Sequence, residues 1–257
     1  MATQSSAART PFCIVPATVD DLDVLAQLSG DAFLNDTHTL LKAHWLGNNS
    51  HRDETKEDLA RLLTNERVDM LVARKSEDGA GEIIGSIVWV KVGYPKNDGS
   101  DAPARPMFTS KATTLPPPPA PVPPPFPDSP LTIAELAKTT SNAMTHYIDH
   151  LMPPGTQCRL INRMNVAPGY QGQGIGSALI KWGTDKADAD GVFCWVSSSM
   201  DGYHVYAKAG FVEVGRQELC LDDYAQGVKR RVLGDDGKEV EEDWGVYVWR
   251  WMRRDPK

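Results

Sequence analysis

A glycine-rich turn between a predicted strand and a predicted helix is the part of the sequence best suited to binding a ligand. It reads Gln171-Gly172-Gln173-Gly174-Ile175-Gly176-Ser177. Glycines let the backbone approach a ligand closely and adopt positive φ angles, and the free amides at the start of a helix attract anions. The pattern therefore predicts a pyrophosphate site in which backbone N–H groups are the donors.

Three other kinds of glycine-rich turn are alternatives to this interpretation. A dinucleotide-binding turn needs G-x-G-x-x-G, whereas Gly172, Gly174 and Gly176 are each two residues apart, and no acidic residue follows on a suitable strand. A P-loop needs a lysine before the Ser or Thr, but Gly176 directly precedes Ser177. A glycine-rich turn with a purely structural role stays open, because a motif this short is weak by itself.

The elements that must position this turn follow from the hydrophobic pattern. Strands are predicted near residues 12–15, 70–73, 82–92, 158–166, 192–196, 211–221 and 245–251, and a small hairpin around 235–237. Helices are predicted near residues 22–33, 39–45, 54–63, 131–151, 174–187 and 203–209. The turn thus lies between the strand at 158–166 and the helix at 174–187.

Two motifs in this region resemble the signatures of the GNAT superfamily of acetyl-coenzyme-A-dependent N-acetyltransferases. Gln171, Gly174 and Gly176 fill the fixed positions of Q/R-x-x-G-x-G/A, and residues 164–168 match the preceding L-x-V-x-P with Met in place of Leu. Residues 206–211 match the second signature, Y-x-K-x-G-F, in the family's order. The resemblance is specific over residues 159–214, and over 12–92 only the order of elements agrees.

The pattern is most similar to fungal small-molecule-type members of the superfamily, although Ser197 stands where their second signature often has Glu. The resemblance implies an α/β (α+β) fold with a central mixed, mostly antiparallel sheet of about seven strands flanked by helices. It also implies an acyltransferase that moves the acetyl group of acetyl-coenzyme A, its cosubstrate, to the amine of a small molecule by direct attack in a ternary complex. No metal is implied. The alternatives are a protein N-terminal or lysine acetyltransferase and a non-enzymatic acyl-coenzyme-A-binding protein.

The resemblance also assigns residues to the site. The positions expected to hold the cofactor are Met164, Asn165, Val166, Gln171, Gly172, Gln173, Gly174, Ile175, Gly176, Ser177 and Ser199. Tyr206 matches the position that often protonates the leaving thiolate, which a neutral phenol can do. The alternatives are an ordinary core strand at 164–166, a helix-capping role for Ser199 and a packing role for Tyr206.

No general base is evident in the sequence. The polar candidates near the expected acceptor pocket are Asp31, Asp36 and His38, and a water relay is an equal alternative. Strand alternation predicts that Leu160, Asn162 and Met164 share a face toward the substrate. It also puts Tyr247, Trp249 and Trp251 on one face, as core residues or as an aromatic acceptor pocket. His204 is expected to face solvent or a neighbouring helix.

Composition restricts the remaining possibilities. The chain has 257 residues and a net charge of -7, so no basic surface predicts nucleic-acid binding. Its four cysteines form no Cys-x-x-Cys pair, which argues against a zinc or redox site. No stretch suits a membrane span or a signal peptide. We therefore expect a cytoplasmic protein with a disordered leader at 1–11 and a single N-acetyltransferase domain at 12–257, of unassigned oligomeric state.

A Pro-rich stretch at about 93–130 interrupts the domain. Its proline runs cannot form a central strand or continue a helix. They predict a mobile, partly polyproline-II insertion. A ligand for a proline-recognising module is the alternative, since any such run matches P-x-x-P.

Overall fold

The computed structural model describes residues 10–46, 49–76, 79–94, 113–126, 129–234 and 237–257, without the side chains of residues 46 and 49–54. Most of the leader predicted at 1–11 lies outside the described residues. So do 95–112 and 127–128 of the predicted insertion and Asp235 and Asp236 of the predicted hairpin turn.

A seven-stranded mixed sheet is the centre of the fold. Its strands in spatial order are β1 (Cys13–Pro16), β2 (Val68–Arg74), β3 (Ile83–Val92), β4 (Cys158–Val166), β5 (Phe193–Ser198), β9 (Val246–Arg254) and β6 (Val212–Cys220). The β4–β5 pair is parallel and the other neighbouring pairs are antiparallel. The predicted fold class and strand number are therefore confirmed.

Helices cover both faces of the sheet. One face packs against α5 (Ile175–Asp190) and α6 (Tyr203–Lys208), through a core that includes Trp89 and Leu179. The other face packs against α1 (Leu22–Ala32), α3 (Asn49–Leu63) and α4 (Ile133–Leu151), and α2 (Thr37–Leu46) connects α1 to α3. No helix within the described residues is long and apolar enough to cross a membrane.

A bulge halfway along β4 changes which side chains share a face. The pairing with β3 steps from Arg163 to Ile161, which leaves Asn162 without a partner. As a result Leu160 packs in the core beneath α4, whereas Met164 packs on the α5 face. The predicted common face for Leu160, Asn162 and Met164 is therefore wrong for Met164, because the extra residue shifts the alternation by one position.

The strands β4 and β5 separate just beyond this bulge. Their parallel pairing runs from Cys158–Phe193 to Ile161–Val196 and then ends. The last residues of β5, Ser197 and Ser198, pair with β9 instead, while the end of β4 pairs with β3. The edge of β4 that faces β5 therefore has no strand partner over residues 162–166, and an opening forms between the two strands.

The Pro-rich segment lies against the domain where it is described. Residues 113–126 contain no helix or strand. The Leu115 N–H donates to the Val214 carbonyl of β6 (2.6 Å), and the Val122 N–H donates to the Thr139 hydroxyl of α4 (2.9 Å). The sequence predicted a mobile insertion, whereas these contacts attach this part of it to the edge of the sheet and to a helix.

A separate two-stranded sheet follows β6. Its strands are β7 (Arg230–Leu233) and β8 (Glu239–Glu242), which pair antiparallel. This confirms the hairpin that the sequence predicted around residues 235–237.

Candidate functional site

A cavity of about 380 Å³ lies between the end of β4, the glycine-rich turn, the start of α5 and α6. We refer to it as the first cavity. All the predicted cofactor residues except Gln173 line it, so the structure brings together Met164, Asn165, Val166, Gln171, Gly172, Gly174, Ile175, Gly176, Ser177 and Ser199. The two predicted motifs therefore meet at one place, although about 30 residues separate them in the sequence.

The glycine-rich turn has the backbone geometry of an anion site. Gly172 and Gly174 have φ angles of 74° and 91°, which L-residues with a side chain rarely adopt. The first backbone bond of α5 runs from the Ala178 N–H to the Gly174 carbonyl (3.0 Å). Among the described residues, no backbone acceptor is found for the amides from Gly172 to Ser177. These donors are therefore available to a ligand at the helix N-terminus.

Glutamine side chains hold the turn in place. The Gln171 Nε2 donates to the Val166 carbonyl (3.3 Å), which joins the turn to the end of β4. The Gln173 Nε2 donates to the Gly169 carbonyl (3.3 Å), and its Oε1 accepts from the Thr10 N–H (3.4 Å). Gln173 does not line the first cavity, and its side chain stabilises the turn.

A second cavity, of about 580 Å³, lies beside the first. Phe33, Asp36, Met164, Ser199 and Gly202 line both cavities, so the two spaces adjoin. Its apolar wall includes Ile148, Trp195, Tyr247 and Trp249. The predicted face of Tyr247 and Trp249 thus borders a cavity, whereas Trp251 is fully buried and stacks on Tyr147, with ring centres 3.9 Å apart.

Tyr206 borders the second cavity from α6. It is only 5% exposed, and its ring packs edge-on to Phe211 at 5.8 Å. Its hydroxyl has no hydrogen-bond partner among the described residues. Burial raises the pKa of the phenol, so the hydroxyl stays protonated at neutral pH and can act as a donor. Tyr206 therefore packs the helix and is also available for proton transfer.

Ser199 also combines two roles. Its hydroxyl accepts from the Gly202 N–H (3.3 Å), which fixes the connection from β5 to α6. It also lines both cavities. The N-cap of α6 is Gly202 and no side chain caps this helix, so Ser199 stabilises the turn before α6 and is not its cap.

Asp36 and His38 lie in the wall of the second cavity, at the start of α2. The Tyr247 hydroxyl donates to Asp36 Oδ2 (2.5 Å), and the Thr39 N–H donates to Asp36 Oδ1 (2.8 Å). Burial and the Asp36 charge raise the pKa of Tyr247, so it remains a neutral donor. This arrangement fixes one carboxylate where the two cavities adjoin.

The His38 ring lies between aromatic rings of β9. Its centre is 4.7 Å from that of Trp249 and 5.5 Å from that of Tyr247. Burial, and then the charge of Lys42, lower the pKa of His38 from 6.5 to about 4, although Asp36 opposes this. The imidazole is therefore neutral at pH 7. Its Nε2 is buried and has no partner among the described residues.

The other residues that the sequence analysis singled out have different positions relative to the two cavities. Asp31 lines neither cavity, and its Oδ1 accepts from the Gln27 side chain (2.7 Å). His204 is exposed and borders the first cavity. Asn162 and Leu160 border the second cavity, as expected. All four cysteines are free, and no cluster of three potential metal ligands occurs among the described residues.

Arg163 is the residue that the sequence analysis missed. It lines the second cavity, and its Nη1 is buried without a hydrogen-bond partner. No motif marks it, and ordinary strand alternation gives the wrong face near the bulge in β4. β4 also contains Arg159, Asn162 and Asn165, so one more polar residue in this strand gave no distinctive signal.

The family model described as "Acetyltransferase (GNAT) domain" matches residues 141–213, a range that contains the glycine-rich turn, Ser199 and Tyr206. No curated protein matches the chain significantly. The described fold is similar to the crystal structure of mosquito arylalkylamine N-acetyltransferase like 5b. The TM-score is 0.55 at 16% sequence identity, and the similarity covers 95% of this chain and 100% of that chain.

A second similar structure is described as histone acetyltransferase HPA2 and related acetyltransferase, from Corynebacterium glutamicum. Its TM-score is 0.50 at 17% identity, with 96% of this chain and 97% of that chain covered. The chain therefore has the GNAT fold, and its residues 141–213 match the acetyltransferase domain of that superfamily.

Proposed function

We propose that this protein transfers the acetyl group of acetyl-coenzyme A to the amine of a small molecule by direct attack in a ternary complex. The observation that carries the proposal is the meeting of the two cavities where β4 and β5 separate. Anion-binding amides border one cavity, and an acid candidate and a carboxylate border the other. A thioester at the junction would be within reach of both.

The first cavity suits coenzyme A. Its pyrophosphate would accept hydrogen bonds from the amides of residues 172–177, a stretch that includes the positive-φ glycines Gly172 and Gly174. The pantetheine arm would pair with the free edge of β4 at residues 164–166 and contact Ser199. Lys208 also borders this cavity and adds a positive charge beside the phosphates.

The second cavity suits the acceptor and the proton transfers. In the reaction the amine nitrogen bonds to the thioester carbonyl carbon, and the carbon–sulfur bond breaks. Asp36 would hold the acceptor ammonium and receive its proton. The Val166 N–H would polarise the carbonyl oxygen. Tyr206 would donate its proton to the leaving thiolate, because burial keeps the phenol neutral.

The size and apolar lining of the second cavity favour a small acceptor over a protein segment. Met144 and Ile148 of α4 and Trp195 and Trp249 of the sheet line it. A cavity of about 580 Å³ is in the usual range of small-molecule sites. The similarity of the second signature to that of fungal small-molecule-type members supports the same choice.

The proposal is tested by ligand-induced stabilisation and by thiol release. A ligand at 100 times its Kd raises the unfolding free energy by about 2.7 kcal/mol, so acetyl-coenzyme A should raise Tm. Gly174→Val should abolish this rise because its φ of 91° excludes a β-branched residue. Gly169→Val is the matched control, since Gly169 has open space around it and no positive φ.

Two outcomes would contradict the proposal. Equal stabilisation by pantetheine alone would show that the turn does not bind the pyrophosphate. Absence of thiol release across a broad set of amines, despite a Tm rise with acetyl-coenzyme A, would favour a protein acetyltransferase or an acyl-coenzyme-A-binding protein without activity.

A further inference from the structure

Arg163 carries a charge that nothing in the described structure pairs. It lies on β4 beside the bulge, and it lines the second cavity together with Ser29 of α1 and Phe33, which follows that helix. Its Nη1 is buried, and the described residues provide no hydrogen-bond or ion-pair partner for any nitrogen of its guanidinium. Burial lowers its pKa, but a guanidinium remains protonated at every pH at which proteins fold.

The nearby acidic groups form no ion pair with Arg163. Asp58 of α3 attracts Arg163 through space, but its carboxylate forms an ion pair with Arg61. Asp36 borders the same cavity, and its carboxylate accepts from Tyr247 and from the Thr39 amide, with lone pairs left for an ammonium. An unpaired, partly buried cation is strongly unfavourable, and a bound anion would relieve that cost.

We propose that Arg163 binds a carboxylate of the acceptor, so that the acceptor is an amino acid rather than a simple amine. This rests on the proposed acetyl transfer. The guanidinium fork matches a carboxylate in two parallel hydrogen bonds, Asp36 holds the ammonium, and the aromatic wall at Trp195 and Trp249 contacts an apolar side chain. The product is an N-acetylated amino acid, and the carboxylate itself takes no part in bond formation.

The test uses acceptors that differ only by the carboxylate. Phenylalanine is compared with phenethylamine, and tryptophan with tryptamine, by thiol release from acetyl-coenzyme A. Wild-type protein should prefer the amino acid of each pair. Arg163→Gln should lower kcat/KM for the amino acids by about 10- to 100-fold and leave the amines nearly unchanged, the range expected for a charged hydrogen bond. Arg163→Lys should restore part of the loss.

Arg216→Gln is the matched control, because Arg216 is exposed on β6 and pairs with Glu213 and Glu218 at the surface. It should leave both acceptor classes unaffected. A wild-type preference for the amines, or an equal loss for both classes in Arg163→Gln, would overturn the proposal. A raised KM for acetyl-coenzyme A in Arg163→Gln would also overturn it and place the anion on the cofactor.

A binding measurement separates this proposal from the proposed reaction. Calorimetry with N-acetylphenylalanine and coenzyme-A-loaded protein needs no turnover. Binding to wild type but not to Arg163→Gln supports the carboxylate site even if no thiol is released. Absence of binding to wild type refutes the carboxylate site even if amines are acetylated.

Discussion

His38 should make the stability of this protein strongly dependent on pH below neutrality. Its ring is packed against Trp249 and Tyr247, and burial lowers its pKa from 6.5 to about 4. Between these two values the unfolded chain binds a proton that the folded chain excludes. Stability from the neutral imidazole is therefore fully present above pH 6.5 and is lost as the pH falls toward 4.

The magnitude follows from the size of the shift. Each pH unit within this window costs about 1.4 kcal/mol, so lowering the pH from 6.5 to 5 should cost roughly 2 kcal/mol from this residue alone. For a chain of this size that corresponds to roughly 4–8 °C in Tm. His38→Phe keeps an aromatic ring of similar size against Trp249 but cannot bind a proton, so it should lack this part of the acid sensitivity.

Urea unfolding at pH 7, 6 and 5 provides the measurement. Between pH 7 and pH 5, wild type should lose roughly 2 kcal/mol more unfolding free energy than His38→Phe loses. The control is His204→Phe, because His204 is exposed and is solvated in both states. If the unfolding free energies of wild type and His38→Phe fell equally with pH, the His38 ring would be accessible to water and the reasoning would be refuted.

Four further changes test other parts of the structure. Tyr206→Phe should lower kcat by about 10²-fold with little effect on coenzyme A binding, and an unchanged kcat across the pH range would leave Tyr206 a packing role alone. Asp36→Asn should lower kcat/KM for the amine by roughly 10-fold, since it removes the charge that holds the ammonium; equal kinetics would exclude that role. Gly183→Ala should destabilise the fold by about 1–3 kcal/mol, measured by urea unfolding, because overpacking a core is costly and its Cβ would lie 2.1 Å from the Trp89 ring; an unchanged midpoint would contradict the packing. Deletion of residues 113–126 should leave coenzyme A affinity unchanged in calorimetry, because none of them borders the first cavity; a large loss would make the segment part of the cofactor site.

The sequence predicted much of the fold because its signals are local. The seven strands carry apolar runs, and the turn at Gly172 and Gly174 combines glycine with a following helix, so propensity and spacing locate both. These features depend on few long-range contacts.

The missed features arise from long-range packing. The bulge at Asn162 exists only in the register between two strands that lie about 70 residues apart, and it reverses the face on which Met164 lies. Likewise, the environment of His38 depends on aromatic rings of β9 more than 200 residues away. Periodicity along the chain contains no information about such partners, so neither Arg163 nor the low pKa of His38 could be read from it.

The short connection from α1 to α2 has a consequence for how the two ligands would bind. Phe33 and Asp36 border both cavities, and the Asp36 N–H donates to the Phe33 carbonyl (3.1 Å), so the two residues form one turn. A displacement of this turn changes both cavities at once. If cofactor binding moves it, the affinity for the acceptor changes by some factor, and thermodynamic reciprocity requires the acceptor to change cofactor affinity by that same factor.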